Sequence, residues 1–204
     1  MTRRRKRSAG PRKDRHPFDW YVEPRWAAEL VFRHVAFLGK VGDPCCGLGT
    51  IPSAARAYGY DTVAADLHDR GYEHLDAVAD FLTDASTFEG IDNLVFNSPY
   101  SYRPRIAEAF VRRALELARH KVAALVPIKW LCTQVRFDLF AKFPPKEVLV
   151  LSTRPSMPPG NKIAELGDRA FKGGTIDYCW VIWEIGYTGP TDTRWIKREA
   201  SAGA

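Results

Sequence analysis

Residues 97–100 read Asn-Ser-Pro-Tyr and follow directly on Asn-Leu-Val-Phe at 93–96. A short apolar run of that kind reads as a buried strand, so the strand ends by presenting an amide, a hydroxyl, a rigid ring and a phenol together. With Pro99 fixing the turn, the Asn97 side-chain oxygen and the Ser98 carbonyl can both accept hydrogen bonds from one amino group. Tyr100 offers a flat face on which a planar group can stack, worth ~1–3 kcal/mol for a nucleobase. An aromatic amine is a poor nucleophile because its lone pair is delocalised into the ring. Two acceptors that orient its hydrogens localise that pair and stabilise positive charge developing on nitrogen. The same residue types also favour a plain turn, so the reading rests on what surrounds the tetrapeptide.

A second constellation lies upstream, in Asp-Pro-Cys-Cys-Gly-Leu-Gly-Thr at 43–50. Gly47 and Gly49 fall where a strand turns into a helix, which lets backbone approach a ligand closely and aims helix N-terminal amides at it. Asp66 ends the next apolar run, nineteen residues after Gly47. A carboxylate at that interval can accept from both hydroxyls of a ribose. Because Pro52 stands three places after Gly49, the turn departs from the G-x-G-x-x-G of dinucleotide sites, and it lacks the Gly-Lys of a phosphate-cradling loop.

These groups need a frame to hold them. Apolar spacing predicts a helix over 24–38, a strand into the glycine turn, a helix over 51–59 closed by Gly59, and a strand at 61–67. Short strands follow at 79–82 and 92–96. A clear amphipathic helix spans 105–120, and then come a strand at 122–128, a helix at 131–143 and a strand at 147–152. Strands alternating with helices over a hundred residues argue for a parallel sheet covered on both faces. The Pro/Gly-punctuated stretch 154–174 reads as a long loop, and with no helix to return it, the aromatic strand at 175–186 pairs antiparallel.

Composition sets the outer bounds. At 204 residues with 46% hydrophobic and 26% charged residues, the chain has enough for one globular core. Its longest wholly apolar stretch, seven residues at 122–128, is far below the ~20 a bilayer needs. The start is too charged, and lacks the apolar segment, to be a secretory signal, which points to a cytoplasmic chain. Cys45, Cys46, Cys132 and Cys179 show neither a disulfide framework nor metal-ligand spacing, and the His and acidic residues at 66–74 match no metal motif, so no metal is expected. The first seventeen residues carry eight Lys or Arg, among them Arg3, Arg4, Arg5, Lys6 and Arg7, against the single Asp14. Such a disordered basic tail can hold a phosphate backbone without reading sequence. Arg103, Arg105 and Lys129 follow the predicted fourth and fifth strands, where such residues either clamp a phosphate or are simply solvated.

The glycine turn, Asp66, the Ala-Asp-Phe-Leu run at 79–82 and Asn-Ser-Pro-Tyr, in that order, resemble class I S-adenosylmethionine-dependent methyltransferases that modify amino groups. The signature of that family is (D/N/S)-P-P-(Y/F/W), and the nearest likeness is to small phage-type DNA adenine methyltransferases. It covers residues 18–187. The resemblance implies a Rossmann-like α/β fold, with a seven-stranded mostly parallel sheet, an antiparallel last strand and helices on both faces. It implies one domain over 18–204.

The family pattern puts Asp43, Pro44, Cys45, Gly47 and Gly49 around the methionine part of S-adenosylmethionine. It puts Asp66 and Leu67 at the ribose, and Asp80 with Phe81 beside the adenine; Tyr21 and Pro24 belong to a cofactor-contacting segment before the turn. Asn97, Ser98, Pro99 and Tyr100 would receive the target amine, with Ser98 departing from the first proline of the signature. The expected reaction is direct in-line transfer to the exocyclic amine of adenine in DNA. An RNA base or a release-factor glutamine as acceptor, and a non-catalytic nucleic-acid-binding protein on the same scaffold, stand as alternatives.

Overall fold

The computed structural model describes residues 16, 18–100 and 102–198. The basic residues Arg3 to Arg7 lie outside the described residues. Eight strands form one sheet: β1 (Val41–Asp43), β2 (Thr62–Asp66), β3 (Ala77–Val78), β4 (Asn93–Phe96), β5 (Lys121–Pro127), β6 (Glu147–Leu151), β7 (Tyr178–Glu184) and β8 (Asp192–Ile196). Their spatial order is β3-β2-β1-β4-β5-β7-β6-β8. The first five run parallel, and β7 is antiparallel to both β5 and β6.

The helices are α1 (Arg25–His34), α2 (Thr50–Ala57), α3 (Ile106–Leu117), α4 (Phe137–Lys142) and α5 (Ile163–Leu166). Period-two alternation along the central strands divides the core into two layers. On β5, Val122, Ala124 and Val126 face the layer that holds α3 and α4, while Ala123 and Leu125 face α1 and α2. On β7, Cys179, Val181 and Trp183 take the first side and Trp180 and Ile182 the second. In α3, Ile106, Ala107, Phe110, Val111, Ala114 and Leu115 make a single buried stripe, as the 3.6-residue period requires. The Trp180 indole N–H donates to the Ala27 carbonyl at 2.9 Å, fastening α1 to the sheet. Among the described residues no helix is long and apolar enough to cross a membrane.

Three sequence expectations are corrected. The sheet has eight strands rather than seven, because β8 joins β6 in parallel. In β8 only Ile196 is buried, so the strand is held by its backbone ladder and leaves almost no apolar pattern to read. The third strand is Ala77–Val78, not 79–82, since the Asp80 carboxylate accepts the Leu82 N–H at 3.0 Å and curls that segment into a turn. The expected helix at 131–143 shrinks to α4, preceded by a tight turn at 134–136. Within the 154–174 loop lies the single turn of α5.

Candidate active site

Parallel strands bring β1, β2, β3, β4 and β5 to a common carboxyl edge, and the strand order reverses between β1 and β4. Ligands of open α/β sheets bind at such a switch point. The glycine turn leaves β1 there, and Asn-Ser-Pro-Tyr leaves β4 beside it.

Gly47 and Gly49 have φ of +54° and +78°, in the left-handed region that other residues avoid. The Gly47 N–H donates to Asp66 Oδ2 at 2.9 Å, and the His68 N–H donates to Asp66 Oδ1 at 3.0 Å. One buried carboxylate therefore ties the first turn to the end of β2. Asp43 accepts the Cys45 N–H at 3.0 Å and lies beneath the turn, almost fully buried. Burial, with the Glu23 and Asp66 carboxylates adding to it, raises the Asp43 carboxyl well above its ordinary range. The Cys45 and Cys46 thiols are pushed up for the same reasons, which keeps them protonated and removes them as nucleophiles.

A cavity sits over this turn, lined by Tyr21, Pro44, Cys45, Gly47, Asp66 and Leu67, by Asp80 and Phe81, and by Asn97 and Pro99. Pro24, Asp43 and Gly49 do not line it: Asp43 supports the turn from below, and a Cβ on Gly49 would run into the Tyr72 ring. Trp20, Glu23, His68, Arg70 and Tyr102 also line it, and sequence reading passed them over. The only available signal for Glu23 was its place in Trp-Tyr-Val-Glu-Pro, two residues after Tyr21.

The Arg70 guanidinium stacks on the Trp20 ring, 4.2 Å from its centroid, and both side chains line the cavity, which has a free volume of about 70 Å³. Among the described residues, three buried nitrogens here, Trp20 Nε1, His68 Nε2 and Arg70 Nε, have no hydrogen-bond partner, although Arg70 Nε lies 4.0 Å from Asp66 Oδ1 as an ion pair. Main-chain bonds hold the Trp20 segment: the Val22 N–H donates to Pro158 O at 3.0 Å, the Gly160 N–H donates to Trp20 O at 3.1 Å, and Tyr21 bridges Pro159.

The tetrapeptide straddles two spaces. Asn97 and Pro99 line the cavity over the glycine turn, whereas Tyr100 lines a second cleft of about 850 Å³. Tyr21 belongs to both. Asn97 Nδ2 donates to Glu23 Oε2 at 2.8 Å, and the Tyr100 hydroxyl donates to Asn97 Oδ1, with the Leu125 carbonyl also in reach at 2.7 Å. Ser98 is buried, and its hydroxyl has no partner. Burial and the nearby Tyr178 and Glu23 raise the Tyr100 phenol well above its ordinary value, so it stays a donor.

Arg105 and Lys129 line the second cleft together with Trp130, Arg136 and Tyr178. Arg105 adopts φ +59° at the start of α3, held by its bond to the Val135 carbonyl at 3.1 Å and its pairing with Glu108 at 3.4 Å. Arg136 stacks on Trp130, 4.6 Å from the ring centroid. Arg103 stands outside the cleft lining, beside the Tyr102 ring.

Solved structures place this architecture. PH1948 from Pyrococcus horikoshii, a candidate RNA methyltransferase, superposes with a TM-score of 0.63 at 14% identity, over 85% of this chain and 90% of its own. The methyltransferase subunit of a type I restriction-modification system from Streptococcus thermophilus gives 0.61 at 16% identity, over 87% of this chain and 47% of its own. The chain has the class I methyltransferase fold. The 23S rRNA methyltransferase ErmE matches it at 0.54 and 14% identity, over 83% of this chain and 71% of its own. The chain spans about half the length of the restriction-system subunits it resembles. Neither a family model nor a curated protein sequence matches the chain. Within the class I methyltransferase fold, the two spaces described above flank the end of β4.

Proposed function

We propose that this chain transfers a methyl group from S-adenosylmethionine to the exocyclic amine of adenine in DNA. The observation that carries the proposal is the position of Asn97, between a cavity over the glycine turn and a cleft walled by Tyr100.

The residues around the cavity fit the cofactor. Trp20 Nε1 and His68 Nε2 are buried and lack a hydrogen-bond partner among the described residues, and Arg70 Nε has only its 4.0 Å ion pair with Asp66; a carboxylate and ribose oxygens would supply acceptors. Asp66, although it already accepts two main-chain N–H groups, keeps lone pairs for a ribose diol. Asp80 and the Phe81 ring stand at the end of β3 for a purine. A free volume of about 70 Å³ is well below the several hundred typical of small-ligand pockets. Entry therefore requires the Trp20 segment to move outward.

When bound, the cofactor supplies an electrophilic sulfonium methyl. Asn97 Oδ1 accepts from the target amine, aligning its lone pair for attack and stabilising the charge that develops on nitrogen. In-line attack by the amine held at Asn97 would form the N–C bond and break the C–S bond, its electron pair leaving with sulfur, and the nitrogen would then shed one proton to water. No covalent nucleophile is needed. The Tyr100 hydroxyl, with Leu125 O as a second acceptor, can give up its bond to Asn97 without being orphaned.

Duplex DNA hides the amine, so the base is flipped out of the stack into the second cleft, with Arg105 and Lys129 on the backbone. The restriction-system methyltransferase subunit supports DNA as substrate. An RNA acceptor is the second reading, favoured by the proteins whose names specify RNA.

Labelled methyl transfer onto DNA, RNA and release factor in parallel, followed by nucleoside mass analysis, tests the proposal. N6-methyladenine in DNA is the expected product; label appearing in none of the three would overturn it.

A further inference from the structure

Turning an asparagine amide by half a turn exchanges oxygen for nitrogen with almost no change of shape. Toward an amine, the two orientations differ completely, because the nitrogen end donates where an acceptor is required. The neighbours of Asn97 discriminate between them. Glu23 Oε2, 2.8 Å from Asn97 Nδ2, accepts from the nitrogen end. Tyr100, as a donor, holds the oxygen end on its own side, where its ring lines the second cleft.

Glu23 is only 6% exposed and comes from the segment before α1, far from β4 in sequence. A carboxylate placed there is costly to bury, and its Asn97 contact compensates part of that cost. Glu23 also lines the cavity over the glycine turn. We propose that Glu23 is a positioning residue for the methyl transfer, locking the Asn97 amide with its oxygen toward the target amine. This inference rests on the methyltransferase reading. Glu23 need not touch either substrate; it acts through Asn97.

The test compares the full chain with Glu23→Ala and Glu23→Gln. Glu23→Ala should lower kcat about tenfold or more, the scale for removing a partner that orients a ligating group. KM for DNA should change little, and kcat is read at saturating cofactor because Glu23 lines the cavity over the glycine turn. Glu23→Gln, which retains an acceptor, should recover most of the loss, an outcome that a merely structural role would not give. The second readout is the pair of Asn97 side-chain amide protons, assigned by their disappearance in Asn97→Asp. They should exchange slowly with solvent in the wild-type chain and in Glu23→Gln, and rapidly in Glu23→Ala.

Equal kcat and equal amide exchange in wild type and Glu23→Ala would overturn the positioning role and leave the methyltransferase reading standing. If Glu23→Ala fails to fold, Glu23→Gln decides: slow amide exchange with kcat near wild type supports the role, and slow exchange with a collapsed kcat overturns it. A wild-type chain that methylates DNA, RNA and release factor not at all counts against the methyltransferase reading, and the positioning role falls with it.

Discussion

The main-chain N–H of Gly47 and the carboxylate of Asp66, nineteen residues apart, meet at 2.9 Å and join the first turn of the sheet edge to the second strand. Asp66 thus serves the fold, and in the proposed function it serves the ribose as well. Asp66→Ala strands the buried N–H of Gly47 and the half-buried N–H of His68, and should cost about 2–4 kcal/mol in urea unfolding. It should also weaken S-adenosylmethionine binding by calorimetry. A normal dissociation constant would remove Asp66 from the cofactor site, whatever the loss of stability.

Asn97→Ala should keep cofactor affinity and lose about 10²-fold or more in turnover, the scale for deleting a group aimed at developing charge. Single-turnover methyl transfer at saturating cofactor measures it. Unchanged turnover would take Asn97 out of the mechanism.

Asp43 gives a pH signature. Its native carboxyl binds a proton more tightly than the unfolded one, because burial and the facing Glu23 and Asp66 carboxylates disfavour the charge, while the Cys45 N–H offsets only part of this. Stability held by that proton is complete below the unfolded value, about 3.9, and is lost as pH rises through the raised native value. Asp43→Asn keeps an acceptor for Cys45 and escapes the loss. Its urea midpoint should match wild type in acid and exceed it increasingly as pH rises across that window. Parallel curves would mean that another group titrates there.

Removing residues 1–16, which hold eight Lys or Arg, should flatten the dependence of nucleic-acid affinity on salt. A filter-binding series in salt reads the slope directly. An unaltered slope would deny the tail a part in binding.

Much of this architecture was legible in the chain because local pattern and tertiary role agree there. The stripe of α3, the aromatic alternation of β7 and the interval from Gly47 to Asp66 each announce a face or an edge. Where backbone alone holds a segment, the pattern is silent: β8 exposes Trp195 and buries only Ile196. The part of the site contributed by Trp20, Glu23 and Arg70 was hidden for another reason. Trp20 meets Arg70, and Glu23 meets Asn97, only once the chain has folded, and no spacing along the sequence encodes those meetings.

The strip of main chain that knits Trp20–Val22 to Pro158–Gly160 is a shared wall. If the indole swings outward to admit a nucleoside, these bonds would carry the Pro158–Gly160 segment with it, and Met157, next in the chain, lines the neighbouring cleft. In that case the width of each chamber would bear on the other without any dedicated relay. The first guest to arrive would then set the room left for the second, and by reciprocity the second would set how firmly the first is held.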